Sequence, residues 1–153
     1  MEDFEEQEPK EVKLVITEEI RSYIYDITKW AKFLAVVGFM LSALLILVSF
    51  SIPAIIGSNP ALAKQMGPLG AGGTSAITVI YLLIGLLYFY PSLLLFRIAN
   101  KGKQGVLFGD QDNLNGAMQN LKSLFKFWGV LTIVIIALYF LAIFSVGAGL
   151  AAG

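Results

Sequence analysis

The sequence predicts an all-α integral membrane protein with three transmembrane helices. Spans one and three are extended on the cytoplasmic side by amphipathic helices. Three observations predict this. Phe33–Ala63, Gln65–Phe96 and Phe127–Gly153 contain no charged residue. Apolar residues make up 57% of the 153-residue chain and charged ones 14%, against roughly 25% in an ordinary soluble domain. Finally, the segments before the first and third stretches alternate apolar and charged residues with a helical period.

The elements follow in order. Residues 1–12 carry six acids and one lysine, the composition of a disordered, solvated leader. They lack the basic start and apolar core of a cleavable signal peptide, so the first apolar segment is expected to be a retained anchor. Residues 13–153 then form a single three-span domain.

On a helix over 17–32, Ile16, Ile20, Tyr23, Ile24, Ile27, Trp30, Ala31 and Leu34 share one face. Glu18, Glu19, Arg21, Asp26, Lys29 and Lys32 share the other. Thr17 is placed to cap this helix, with two acids in its first turn.

A bilayer core of about 30 Å takes about 20 apolar helical residues. Phe33–Ile56, Thr74–Phe96 and Phe127–Leu150 supply 24, 23 and 24. In lipid a helix satisfies its own backbone groups, so helices are expected rather than strands. Gly38 and Ser42 form a small-xxx-small pair on span one that admits a second helix closely. Pro91 is expected to shape span two by removing a backbone hydrogen bond.

Between spans one and two, Asn59 is expected to cap a short helix with Pro60 in its first position, ended by Gly67-Pro68. The glycine-rich run to Ser75 reads as a flexible connector. It lacks the lysine of a phosphate-binding loop.

Between spans two and three, a helix over 112–126 puts Leu114, Ala117, Met118, Leu121, Leu124, Phe125 and Trp128 on one face, with Asp112 as its expected cap. Both amphipathic helices end in a lysine pair followed by Phe, at Lys29/Lys32–Phe33 and Lys122/Lys126–Phe127. The two stripes are expected to pack against each other or against a partner, because nearly neutral helices gain little from anionic lipid.

Orientation follows from the bases. Lys10, Lys13, Arg21, Lys29 and Lys32 precede span one; Arg97, Lys101, Lys103, Lys122 and Lys126 lie between spans two and three; only Lys64 lies between spans one and two. Ten against one puts the N-terminus in the cytoplasm and the C-terminus on the outer face.

Missing residue types narrow the chemistry. The chain has no cysteine and no histidine, which excludes disulfides, thiol catalysis and imidazole chemistry. No paired carboxylates, nucleophile–base pair or metal-ligand cluster is visible. No catalytic, cofactor-binding or metal-binding residue is therefore assigned, no cofactor is expected, and an enzyme is not expected. No basic patch supports nucleic-acid binding. No Asp, Glu, Lys or Arg lies within a span, as proton relays and ion-coupled carriers usually require.

The segment Tyr88-Phe-Tyr-Pro-Ser-Leu-Leu-Leu-Phe-Arg97 and the later Leu121-Lys-Ser-Leu-Phe-Lys-Phe-Trp-Gly129 resemble a family of small bacterial membrane proteins known only as a domain of unknown function. The junction Lys29-Trp-Ala-Lys-Phe33 is similar as well, and the likeness runs from about Ile16 to Phe144. It implies a bacterial inner membrane and no particular activity.

The expected function is that of a structural or regulatory subunit in a membrane assembly. Besides the lipid bilayer, its partner is another membrane protein or a further copy of itself. Ile20, Ile24 and Ile27 of the first amphipathic helix, and Leu114, Met118, Leu121 and Phe125 of the second, are the candidate interaction residues. The alternative is a homo-oligomeric channel or passive carrier lined by Ser42, Ser49, Ser51, Thr78, Ser92, Thr132 and Tyr139.

Overall fold

A computed structural model describes residues 16–65 and 70–151. The leader expected over 1–12 and the Gly67-Pro68 stop lie outside the described residues. Among the described residues, four helices account for the regular structure: α1 (Glu18–Ser58), α2 (Pro60–Gln65), α3 (Gly70–Phe108) and α4 (Gln111–Ala151). Three of them, α1, α3 and α4, are long and apolar enough to cross a membrane, which suggests a multi-pass membrane protein.

Local chemistry sets the helix ends. The Thr17 hydroxyl accepts a hydrogen bond from the Ile20 amide at 3.3 Å, and Glu18 and Glu19 occupy the first turn of α1. Asn59 caps α2 by accepting from the Ala61 amide at 3.2 Å. Gly109 adopts φ +66° between α3 and α4, a conformation that glycine enters without steric cost. Asp110, rather than Asp112, then caps α4. Its carboxylate accepts from the amides of Asp112 and Asn113 at 3.0 and 3.1 Å and from the Asn113 side chain at 2.7 Å. The cap sits two residues earlier than expected because Gly109 lets the chain reverse there.

α1 and α4 each have 41 residues. At 1.5 Å per residue each is about 60 Å long, twice a hydrocarbon core. Residues 18–32 run without a break into span one, and 111–126 into span three. α3 goes further than expected at both ends. The glycines from Gly70 to Gly73 belong to the helix rather than to a connector, and Arg97–Phe108 continues it well past span two. Three helices, not two, therefore continue past the charge-free stretches.

Packing explains the C-terminal extension of α3. A Cβ at Gly102 would stand 2.8 Å from Thr28 Cγ2 and 3.7 Å from Ala117 Cβ. One at Gly105 would stand 2.8 Å from the Leu114 amide nitrogen. The two glycines that argue locally against a helix are points where α1 and α4 approach α3 too closely for a side chain.

α3 is the central post. α1 and α4 each pack on it and scarcely touch each other. α1 runs antiparallel to α3 along a seam of small residues: Thr28 meets Gly102, Gly38 meets Ser92, and Ser42 meets Gly85. Buried Thr28, Ala35, Ser42 and Ser49 recur every seven residues, with buried Ala31 and Ile52 on the companion positions. That is a coiled-coil seam built from small side chains, which lets two apolar helices approach where lipid provides no hydrophobic drive between them. Ser42 Oγ donates to the Gly85 carbonyl at 2.8 Å across the seam.

α4 joins α3 only along its first half, through Leu114, Ala117, Leu124 and the ring pair Tyr90–Phe127 at 5.1 Å. From Val130 to Ser145 its side chains are exposed, apart from half-buried Leu131.

Candidate functional site

The three helices meet where Ala31, Leu94, Ile98, Ala99 and Leu124 form a buried cluster with Leu95 and Leu121 packed against it. Arg21 locks the arrangement. One guanidinium nitrogen donates to the Val106 carbonyl at 2.7 Å, and the other pairs with Glu18 at 2.7 Å. Val106 lies in the last turn of α3, where carbonyls lack helical partners, so a cation there is doubly placed. Beside Arg21, a cleft of about 280 Å³ opens toward Gly105, Gly109 and Asp110. The backbone and side-chain hydrogen bonds from Asn113 hold the Asp110 carboxyl below its ordinary value.

The outer face of α1 is bare. Ile20, Tyr23, Ile27, Trp30 and Leu34 are exposed at a spacing of three and four residues, Ile27 by 53% and Trp30 by 67%. Next to Ile27 in sequence, Thr28 is only 4% exposed, so the boundary between packed and bare faces is sharp. Tyr23, Ile27, Trp30 and Leu34, with Ala31 and Leu95 as floor, line an open groove of about 510 Å³. The Trp30 and Phe33 rings meet edge to face at 6.1 Å.

The residues expected to form an interface divide accordingly. Ile20, Ile27, Met118 and Phe125 are exposed, Phe125 by 70%. Ile24 and Leu121 are half-buried, and Leu114 is buried against Gly105. The two stripes share only the buried cluster to which Ala31, Leu121 and Leu124 contribute; otherwise each helix packs on α3. On α1 the buried residues that face α3 are mostly small: Thr28, Ala31, Ala35, Ser42 and Ser49, opposite Gly85, Ser92 and Gly102. Their seven-residue recurrence is legible in the sequence, and Gly38 with Ser42 is one part of it.

The polar residues suited to a channel wall do not gather around a lumen within one chain. Ser42, Ser49 and Ser92 are buried, and their hydroxyls donate to the carbonyls of Gly85, Ile46 and Tyr88. The Ser51 and Thr132 hydroxyls donate to the carbonyls of Leu47 and Trp128 four residues back. Among the described residues no three His, Cys, Asp or Glu side chains converge as metal ligands would.

A profile of a family of unknown function, DUF5362, matches residues 69–147. The chain belongs to that family. The DUF5362 match takes in α3 and most of α4, including the Tyr88–Arg97 and Leu121–Gly129 motifs. It leaves α1 and the Lys29–Phe33 junction outside, so it is narrower than the resemblance over Ile16–Phe144. No curated protein and no solved structure matches the chain. What DUF5362 contributes to the site is thus the central post and the helix packed on it.

Proposed function

We propose that this protein is a structural or regulatory subunit of an assembly in a bacterial inner membrane. The N-terminus and the α3–α4 turn lie in the cytoplasm, and the C-terminus lies on the outer face. This orientation rests on the distribution of lysine and arginine. α1 and α4 then leave the membrane as amphipathic extensions, held upright by the extension of α3.

One observation carries the reading. Ile20, Tyr23, Ile27 and Trp30 remain bare on a stretch of α1 that also bears Glu18, Glu19, Arg21, Asp26 and Lys29. A stretch so charged lies in water, and a contiguous apolar stripe in water marks a contact surface. Met118 and Phe125 on α4 are bare as well. The large aromatic and aliphatic side chains are suited to act as interface anchors. Binding uses this preformed face, since the small-residue seam already satisfies α1 on its other side.

The test is photocrosslinking in native membranes. A photoreactive residue at position 27 or 125 is expected to give one adduct of constant mass. The same residue at Leu47, an exposed span position, is expected to give lipid adducts only. Lipid adducts alone at all three positions would overturn the proposal.

A further inference from the structure

Beyond the apolar stripe, the α3–α4 hairpin carries cations without counter-charges among the described residues. Among the described residues the ion pairs are Arg21–Glu18 and Lys29–Asp26. Among the described residues, Arg97, Lys101, Lys122 and Lys126 have no carboxylate within 4.0 Å. The acids of the α3–α4 hairpin are Asp110 and Asp112, both at its far end, and Asp110 is engaged as a cap.

The contacts Gly105–Leu114, Lys101–Gly116 and Tyr90–Phe127 fix the register of the two helices. On α3, Tyr90, Leu94, Arg97 and Lys101 follow at spacings of four, three and four, so they line one flank. On α4, Gly116, Asn120, Ser123 and Phe127 do the same. The α3–α4 seam thus carries exposed Arg97 and Lys101 along one flank and Gly116, Asn120 and Ser123 along the other, with the Tyr90–Phe127 ring pair further along. Arg97 lies about 10 Å below Tyr90 along the helix. Lys101, exposed overall, lays its side chain over Gly116: its Nζ and Cδ each lie 2.9 Å from where a Gly116 Cβ would stand. Asn120 Nδ2 donates to the Gly116 carbonyl at 2.6 Å, so that acceptor already has a donor.

We propose that the α3–α4 seam binds the phosphate headgroup of an anionic phospholipid, with Arg97 and Lys101 as its direct ligands. The shared chemistry is that of a phosphate ester, which a guanidinium meets with two parallel donors. The lipid is chosen over a free phosphate by what lies above. Beyond Phe127 the side chains of α4 are exposed from Val130 to Ser145, apart from Leu131. An acyl chain rising from the seam passes the two rings and lies along that bare apolar wall. Lys122 and Lys126 on α4 add long-range attraction to an anionic surface. The proposal rests on the membrane-spanning reading, although not on any protein partner.

The test is native mass spectrometry of the full chain in mild detergent. It is titrated with phosphatidylglycerol, with phosphatidylcholine of the same acyl chains, or with phosphatidylglycerol plus millimolar inorganic phosphate. Wild type is expected to retain phosphatidylglycerol at least tenfold better than phosphatidylcholine, and inorganic phosphate is expected not to displace it. Arg97→Gln/Lys101→Gln is expected to lower retention about 30-fold, the electrostatic effect of two basic residues at an anionic surface. Ser123→Glu removes no ligand but supplies a carboxylate at the seam, and it is expected to abolish the preference. Lys64→Gln, on the other side of the membrane, is expected to change nothing.

Equal retention of the two lipids overturns the proposal. So does an unchanged preference in both seam variants, each checked for wild-type helix content. Displacement by inorganic phosphate overturns the lipid assignment. Should alkaline carbonate strip the protein from membranes, the membrane reading itself fails. A protein that stays embedded but shows no lipid preference sinks this proposal alone.

Discussion

Replacing Gly105 by alanine asks α4 to give way. The new Cβ would stand 2.8 Å from the Leu114 amide nitrogen and 3.0 Å from its Cα. Ordinary contact begins near 3.4 Å, so the two backbones must part by about 0.6 Å. Neither atom is the end of a flexible side chain that could swing aside. Overpacking of this kind costs about 1–3 kcal/mol. Against it stands the intrinsic gain of alanine over glycine inside a helix, about 1 kcal/mol. The net effect is a loss of up to about 2 kcal/mol. Gly129 supplies the control, because nothing lies within 4 Å of its would-be Cβ. Gly129→Ala collects the propensity gain alone, so the two alanine variants should differ by about 1–3 kcal/mol in opposite directions. Denaturation in mixed micelles of a mild detergent and dodecyl sulfate, followed by circular dichroism, measures both. If Gly105→Ala matches or exceeds Gly129→Ala in stability, the close approach of α4 to α3 is not real.

Ser42→Ala removes the hydroxyl that bridges to the Gly85 carbonyl and should cost about 0.6 and at most about 1.7 kcal/mol in the same assay. Ser42→Val, by contrast, should separate α1 from α3, read as a loss of protection in hydrogen exchange along both helices. Arg21→Gln frees the Val106 carbonyl, and exchange should accelerate over residues 103–108 and not over 85–92. Because Asn113 lowers the Asp110 carboxyl, its cap stabilises α4 fully above the ordinary value of 3.8. That contribution disappears as pH falls through the lowered value. Exchange at the first amides of α4 should therefore rise between about pH 5 and 2, and Asp110→Asn, which caps without titrating, should flatten the rise.

The spans were legible because a run of more than 20 uncharged apolar residues admits few structures besides a membrane helix. Both short-range caps at Thr17 and Asn59 were legible for a similar reason: a side-chain oxygen and the amide two or three residues on suffice to make them. The extension of α3 was not legible. Lys101-Gly-Lys-Gln-Gly105 contains two glycines and three polar residues, and local propensity opposes a helix there. The helix forms because Gly102 and Gly105 admit Thr28 and Leu114, contacts that lie 74 and nine residues away. The cap shifted from Asp112 to Asp110 for a neighbouring reason, the reversal at Gly109.

The candidate surface was legible in part. Helical periodicity collected Ile20, Ile24 and Ile27 on one side, but amphipathicity says only which residues share a face. It collected Ala31 with the larger side chains, whereas the buried contact of α1 there is made by Thr28, Ala31 and Ala35. On this part of α1 closeness of backbones decides the packing face, where Thr28 meets Gly102, and the bulky side chains are left on the exposed one. The same inversion leaves Ile27 and Trp30 bare, and it gives them their proposed role.

That role has a direct measurement, made clean by the absence of native cysteine. Single cysteines at positions 27 and 28 would be labelled with a maleimide, first in native membranes and then in purified protein. A cysteine at 28 should stay protected in both, inside the seam with Gly102. A cysteine at 27 should react fast in the purified chain and slowly in native membranes, where its partner covers it. Equal and fast labelling at 27 in both settings would mean that the stripe stays bare in the cell, and the account of this protein as a subunit would be contradicted.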